Sequence, residues 1–225
     1  MPFKEKVVFS WSGGKDSALA LHEFLKLDGY EVVSLLTTFS EEYGRVSMHG
    51  VRRELVEKQA ESLGLPLEMV LVPKGSSNEE YEKRMGEFLI RQKSLGISAV
   101  VFGDIFLEDL RRYREENLAR IGMKALFPVW KRNDTSGIAR EFIRSGFKAV
   151  VVCVDSRVLG GSFAGREFDE EFLSDLPPNV DPCGENGEFH SFTYAGPIFE
   201  KTIRFKRGRT VKRDNGFYYR DLNLA

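Results

Sequence analysis

The segment Ser12-Gly13-Gly14-Lys15-Asp16-Ser17 has the residue types of an anion cradle. It follows the apolar run Val7-Val8-Phe9 and precedes Ala18, Leu19, Leu21, Phe24 and Leu25 at helical spacing, which predicts strand, tight loop, helix. That order sets the free N–H groups and the positive dipole end of a helix at the loop. Gly13 and Gly14 let backbone approach phosphate oxygens, Ser12 and Ser17 offer hydroxyl donors, and Lys15 adds a full charge. The spacing is neither a Walker loop nor a dinucleotide fingerprint, both of which place their glycines differently. The competing plain reading is a glycine turn with Ser or Asp as helix cap.

Other candidates stand at predicted strand ends and loops. Asp104, released by Gly103 from a predicted buried strand, suits a ribose hydroxyl or a metal, or else caps a helix. Thr37 and Thr38 end the second strand, on the side where a nucleoside base would lie. His49, beside Gly50 and before a helix, is a candidate contact for phosphate or the reacting group. Glu185 and Glu188 flank Asn186-Gly187 in a polar loop that, taken alone, reads as a surface turn. Arg111, Arg112 and Arg114 fall in a helix, where a charged stripe is ordinarily solvated.

The elements that must position these residues alternate. Strands are predicted at 32–38, 67–72, 99–102 and 125–127, and helices at 51–63, 79–93 and 107–121. Such alternation implies a doubly wound α/β domain built on a parallel sheet. A helix at 138–143 and a strand at 149–154 either extend that sheet or open a second unit. Beyond them the chain is rich in Gly and Pro, and β-prone runs at 189–194, 202–205 and 217–222 are separated by the turn signals Arg207-Gly208 and Asn215-Gly216. The expected division is a nucleotide-binding domain over 1–132 and a smaller α+β acceptor domain over 133–225.

With 42% hydrophobic and 30% charged residues the chain can bury a core, and 33 Lys and Arg against 34 Asp and Glu give no global pull toward nucleic acid or an anionic membrane. A local basic cluster is not excluded by that balance. No apolar run reaches membrane-spanning length, and Met1-Pro2-Phe3-Lys4-Glu5-Lys6 lacks the apolar core of a signal peptide, so a cytoplasmic location is expected. Cys153 and Cys183 are spaced as neither a redox pair nor a metal knuckle.

The loop Ser12 to Ser17 resembles that of the PP-loop ATPases, the adenine nucleotide alpha hydrolases. Phe102-Gly103-Asp104-Ile105, Arg112-Tyr113-Arg114-Glu115-Glu116 and Leu126-Phe127-Pro128-Val129-Trp130 follow the block order of the diphthine ammonia ligase family. Asp181-Pro182-Cys183-Gly184-Glu185-Asn186-Gly187-Glu188-Phe189-His190 resembles the C-terminal signature of its bacterial branch, with Asn186 in place of a glycine and His190-Ser191 in place of Glu-Thr. Bacteria make no diphthamide, so for that branch the resemblance carries the nucleotide chemistry and leaves the acceptor open.

The resemblance implies a Rossmann-like fold and ATP with Mg2+ as cofactors. It implies adenylation of a carboxylate, on a protein side chain for instance, release of pyrophosphate, and amide formation with ammonia. Lys15, Asp16, Glu185 and Glu188 would then be catalytic, with Asp16 orienting Mg2+ or a water and the Glu185–Glu188 loop holding Mg2+ or orienting an attacking ammonia or water. Ser12, Gly13, Gly14, Ser17, Thr37, Gly103 and Asp104 would hold the nucleotide, and His49, Arg112, Arg114 and Asn186 the substrate. A homodimer is compatible with this reading, and neither membrane nor nucleic acid is expected as a partner. Two rival readings are sulfur transfer to tRNA, which wants a cysteine pair and a basic face, and a sensor that holds adenine nucleotide without turnover.

Overall fold

A computed structural model of the chain describes residues 4–47 and 49–225, so Met1-Pro2-Phe3 of the N-terminal segment lies outside it. The first unit runs β1 (Glu5–Ser10), α1 (Lys15–Phe24), β2 (Tyr30–Ser40), β3 (Arg45–Val46), α2 (Arg53–Leu63), β4 (Leu67–Val72), α3 (Asn78–Ser94), β5 (Ala99–Val101), α4 (Glu108–Arg120) and β6 (Lys124–Leu126). Then follow α5 (Thr135–Arg144), β7 (Lys148–Asp155), α6 (Glu170–Asp175), β8 (Phe189–Ala195), β9 (Phe205–Lys212) and β10 (Phe217–Leu224).

Val7, Val8 and Phe9 are fully buried, which suits a central strand of a sheet covered on both faces. β1 pairs in parallel with β2 and β5, β4 lies on the other edge of β2, and β6 extends β5. Val7 and Phe9 pack with α1 and α2, whereas Val8 packs with Phe88 and Leu89 of α3 and Leu118 of α4. The helices thus cover both faces, and the doubly wound expectation holds. The strand order reverses between β1 and β5, which opens a crevice at their carboxyl ends.

Helix ends follow local chemistry. Ser77 accepts a hydrogen bond from Glu80 N at the start of α3, Glu79 and Glu80 sit at its positive end, and Arg91 and Lys93 at its negative end. Asp134 caps α5 through Gly137 N at 2.6 Å.

The second sheet is antiparallel, in the order β8-β7-β10-β9. β7, left open in the sequence reading, belongs here. The strand expected at 202–205 begins only at Phe205, and Arg207-Gly208 is no turn but lies inside β9, at a register shift opposite β10. A glycine within a strand marks a bulge as readily as a turn, and only the pairing partner decides. β3 and α6 escaped the sequence reading because two and six residues are too few to show a period. One hydrophobic cluster runs from Phe9, Trp11 and Leu21 through Phe142 to Val150, Phe172 and Phe192, so the two sheets share a core.

Candidate functional site at the strand switch point

The glycine loop opens α1 with Gly14 as cap residue and no capping side chain. Gly13 adopts φ +78°, a left-handed conformation that favours glycine. Within the loop, Ser12 Oγ accepts from Gly14 N at 3.2 Å, and Ser17 Oγ donates to Gly14 O at 2.9 Å. Gly103 lies against this turn so closely that a Cβ there would stand 2.9 Å from the backbone N and Cα of Ser17.

Long-range bonds hold the loop from the other side. Lys15 N donates to Ser191 Oγ at 3.1 Å, and Thr193 N donates to Gly13 O at 2.8 Å, so β8 braces the cradle. Gln59, fully buried, accepts from Trp11 Nε1 at 2.9 Å and donates to Gly13 O at 2.9 Å and to Thr193 O at 2.6 Å. Gln59, Ser191 and Thr193 escaped the sequence reading. The usable signal was one polar residue on the apolar stripe of α2, beside Leu55, Val56 and Ala60, since a buried amide needs partners.

Lys15 does not line the open cavity. Its Nζ donates to both carboxylate oxygens of Asp16, at 2.9 and 2.8 Å, and to Cys183 O, near the rings of Phe168 and Phe189. A buried ammonium must be paired. Burial pulls its pKa down, but the Asp16 carboxylate, with Cys183 and Glu185 adding to it, holds it above the ordinary lysine value. Burial pushes Asp16 above the usual carboxylate range against the pull of Lys15.

The loop 181–188 closes over this pair and is held by its own side chains. Glu188 is buried and accepts from Asp181 N at 3.0 Å and from Asn186 N and Nδ2, each at 2.9 Å. The sequence reading made Glu188 catalytic and Asn186 a substrate contact, but both spend these groups on shaping the loop. Glu185 is different. Burial, then the negative charge of Asp16, pushes its carboxyl up to about 7, with Asp181 and Asp104 adding to the rise and Lys15 opposing it. Among the described residues no three His, Cys, Asp or Glu side chains converge to hold a metal ion. A Mg2+ that takes most of its ligands from phosphates and water, with Asp16 as a carboxylate contact, remains compatible with these residues.

Next to the loop a cavity of about 510 Å³ opens between the ends of β1, β2 and β5 and the helices α3 and α4. That is within the range of small-ligand sites. Ser12, Thr37, Thr38, His49 and Arg114 line it, together with Tyr81, Tyr113 and Asn117, which the sequence reading missed. Thr37 Oγ1 is already committed to Trp11 O at 2.6 Å. Asp104 and Arg114 face each other: Nη2 donates to Oδ1 at 3.2 Å, while Nε and Oδ2 stand 2.6 Å apart with the N–H out of line. Arg114 also lies 4.2 Å over the Phe102 ring. Arg112 is not brought here. It is mostly exposed and pairs with Asp109 on the outer side of α4, where helical spacing turns it away from Arg114.

His49 stacks on His190 of β8 at 4.4 Å, and its buried Nδ1 has no partner among the described residues. Burial drives both imidazoles to low pKa, His190 to about 4, with the Lys15 charge adding to the effect.

Two family models match the chain, the diphthamide synthase N-terminal domain over residues 5–125 and the diphthamide synthase C-terminal domain over residues 134–222. A diphthine–ammonia ligase of Danio rerio is 30% identical, over 92% of this chain and 88% of that protein. The diphthine–ammonia ligase of Homo sapiens is 28% identical, over 85% and 79% respectively, and that of Schizosaccharomyces pombe is 28% identical over 94% of this chain and 38% of its own length. A solved structure described as a predicted subunit of tRNA methyltransferase from Methanocaldococcus jannaschii superposes with a TM-score of 0.40 at 15% identity, over 71% of this chain and 84% of that one, too remote to transfer anything. With both halves matched in order and the glycine loop seated at the strand switch point, the chain belongs to the diphthamide synthase (diphthine ammonia ligase) family of the PP-loop ATPases.

Proposed function

We propose that this protein is an ATP-dependent ligase that adenylates a carboxylate, releases pyrophosphate and forms an amide with ammonia. The single observation that carries this reading is the glycine loop seated at the strand switch point beside the cavity, with the Glu185 carboxyl, raised to about 7, close to Asp16 of that loop. The ligase activity named for the relatives supplies the reaction class.

The cavity takes the nucleoside, with Thr37 and Thr38 at the base end and Asp104, released by Gly103, on the ribose side. Ser12, Gly13, Gly14 and Ser17 cradle the phosphates. Lys15, paired with Asp16, supplies positive charge, and Asp16 would hold a Mg2+ ion, which would supply further positive charge against the negative charge that develops on the phosphates. Pyrophosphate leaves after the acceptor carboxylate attacks the α-phosphorus. Glu185 then takes the proton from ammonium, ammonia attacks the activated carbonyl, and AMP departs. A carboxyl that titrates near 7 is matched to that transfer. Glu188 and Asn186 act by holding Glu185 in place, and His49 and Arg114 border the space between nucleotide and acceptor. Residues 1–132 form the nucleotide unit and 133–225 the acceptor unit. We keep a protein side chain as acceptor, a cytoplasmic location and a homodimer within this proposal; no helix among the described residues is long and apolar enough to cross a membrane.

Sulfur transfer fits the site less well, because burial pushes the Cys153 thiol up to about 12 and raises that of Cys183, whereas a nucleophilic thiol needs the opposite shift. The deciding experiment is chromatography of the nucleotide products with ammonium and candidate carboxylate acceptors. AMP and pyrophosphate in step with amide are expected. ADP and phosphate, or binding without turnover, would overturn adenylation.

A further inference from the structure

Charge is segregated in this chain, and the segregation is local to one strand. Residues 201–213 carry Lys201, Arg204, Lys206, Arg207, Arg209, Lys212 and Arg213 and no acidic residue, while outside them 26 Lys and Arg face 34 Asp and Glu. A strip of charge +7 therefore sits on a body of charge −8. All seven cations are exposed. Arg207 alone of them has an acidic partner among the described ion pairs, Glu167. The strip lies along and around β9, which ends the order of the second sheet and is bulged near Gly208.

Cations and bulges on a terminal strand also guard against edge-to-edge association. That function needs one or two charges, and seven exposed cations with one counter-ion exceed it. We infer that the β9 strip is a docking surface for an acidic protein segment. Nucleic acid is the weaker fit for two reasons. The strip presents no exposed aromatic ring for base stacking, since Phe205 is packed against Phe192 and Tyr194. A long polyanion running past a thirteen-residue strip would also meet the net negative remainder of the surface. A short acidic segment matches the strip in both extent and sign. The bulge breaks the regular hydrogen-bonding edge, so recognition rests on side-chain charge and carries a strong dependence on salt.

The test uses the full chain and two labelled probes of similar charge, a peptide of alternating Glu and Gly and a single-stranded RNA, read by fluorescence anisotropy at low and high ionic strength. The peptide should bind at low salt, release at high salt, and bind at least about tenfold more weakly to the triple variant Arg204→Ala, Arg209→Ala, Arg213→Ala. ATP affinity and melting temperature of that variant should be unchanged, which separates docking from folding and from the nucleotide site. A second variant, Lys206→Glu, repeats the loss by charge reversal at another position. RNA bound more tightly than the peptide, and lost in the same variants, would overturn the assignment to a protein partner. Absence of binding by both probes, with the variants merely self-associating, would leave only an edge guard and overturn the docking surface.

Discussion

At the glycine loop, Gly13, Gly14, Lys15 and Ser17 are buried and are tied to β8 and Gln59 by hydrogen bonds that span more than 40 residues of sequence, whereas the far wall of the cavity is α4, of whose 13 residues only Leu118 is buried. Both border one ligand space. The proposed phosphate end is therefore pre-organised, with its donors oriented by a shared core, and the proposed nucleoside end is held by few apolar contacts and opens at lower cost. The contrast suits a site in which chemistry happens against the rigid loop while ligand enters past the loosely packed helix.

The largest expected effect lies at the rigid end. Glu185→Gln removes the proposed base and should lower kcat/KM by about 100-fold or more. Its carboxyl is raised to about 7, and the proposed base role requires the deprotonated form, so wild-type kcat/KM should climb as pH rises through that value and level off above it. The variant should lose this limb. An unchanged pH profile in Glu185→Gln would move the base elsewhere.

Gln59→Leu tests how much of the rigidity depends on one amide. The substitution strips Trp11 Nε1 of its acceptor and Gly13 O and Thr193 O of a donor, and should cost about 2 to 4 kcal/mol in urea unfolding, with weakened ATP binding in the protein that stays folded. A loss below about 0.5 kcal/mol would mean that β8 braces the loop unaided.

Lys15→Ala should weaken ATP binding about tenfold or more by calorimetry, since a charge-assisted contact contributes roughly 1.5 to 3 kcal/mol. Because Lys15 Nζ also holds Cys183 O, the same change should loosen loop 181–188, visible as faster amide exchange there. Full ATP affinity in the folded variant would confine Lys15 to bracing that loop.

The smallest effects belong to α4 and sharpen the comparison there. Arg114→Ala, which breaks the facing pair with Asp104 at the cavity, should raise the KM for ATP severalfold with little change in kcat. Arg112→Ala, at an exposed residue paired only with Asp109 among the described residues, should leave stability within about 0.5 kcal/mol and kinetics unaltered. Equal kinetic damage from both would mean that α4 meets its ligand on a different face.

Where the candidate residues of the site lie along the chain was largely legible in the sequence, and the exceptions share a cause. Ser12 to Ser17 could be placed between strand and helix because apolar periodicity and glycine conformational freedom are properties of short windows of chain. Arg112 and Arg114 were treated alike because adjacency in a motif does not say which face of a helix meets a cavity. Glu185 and Glu188 look equivalent in sequence, but one carboxylate is consumed by three loop donors and the other is left beside Asp16.

The sequence by itself determined the alternation of strands and helices, the position of the cradle and the change to antiparallel strands, since each follows from local conformational preference and burial pattern. Only the tertiary structure decided that Gln59 and Ser191 brace the cradle, that Lys15 reaches the loop 181–188, and that His49 meets His190, because these contacts join residues 46 to 176 positions apart. Their existence depends on how two sheets share one core, which no single window of sequence encodes.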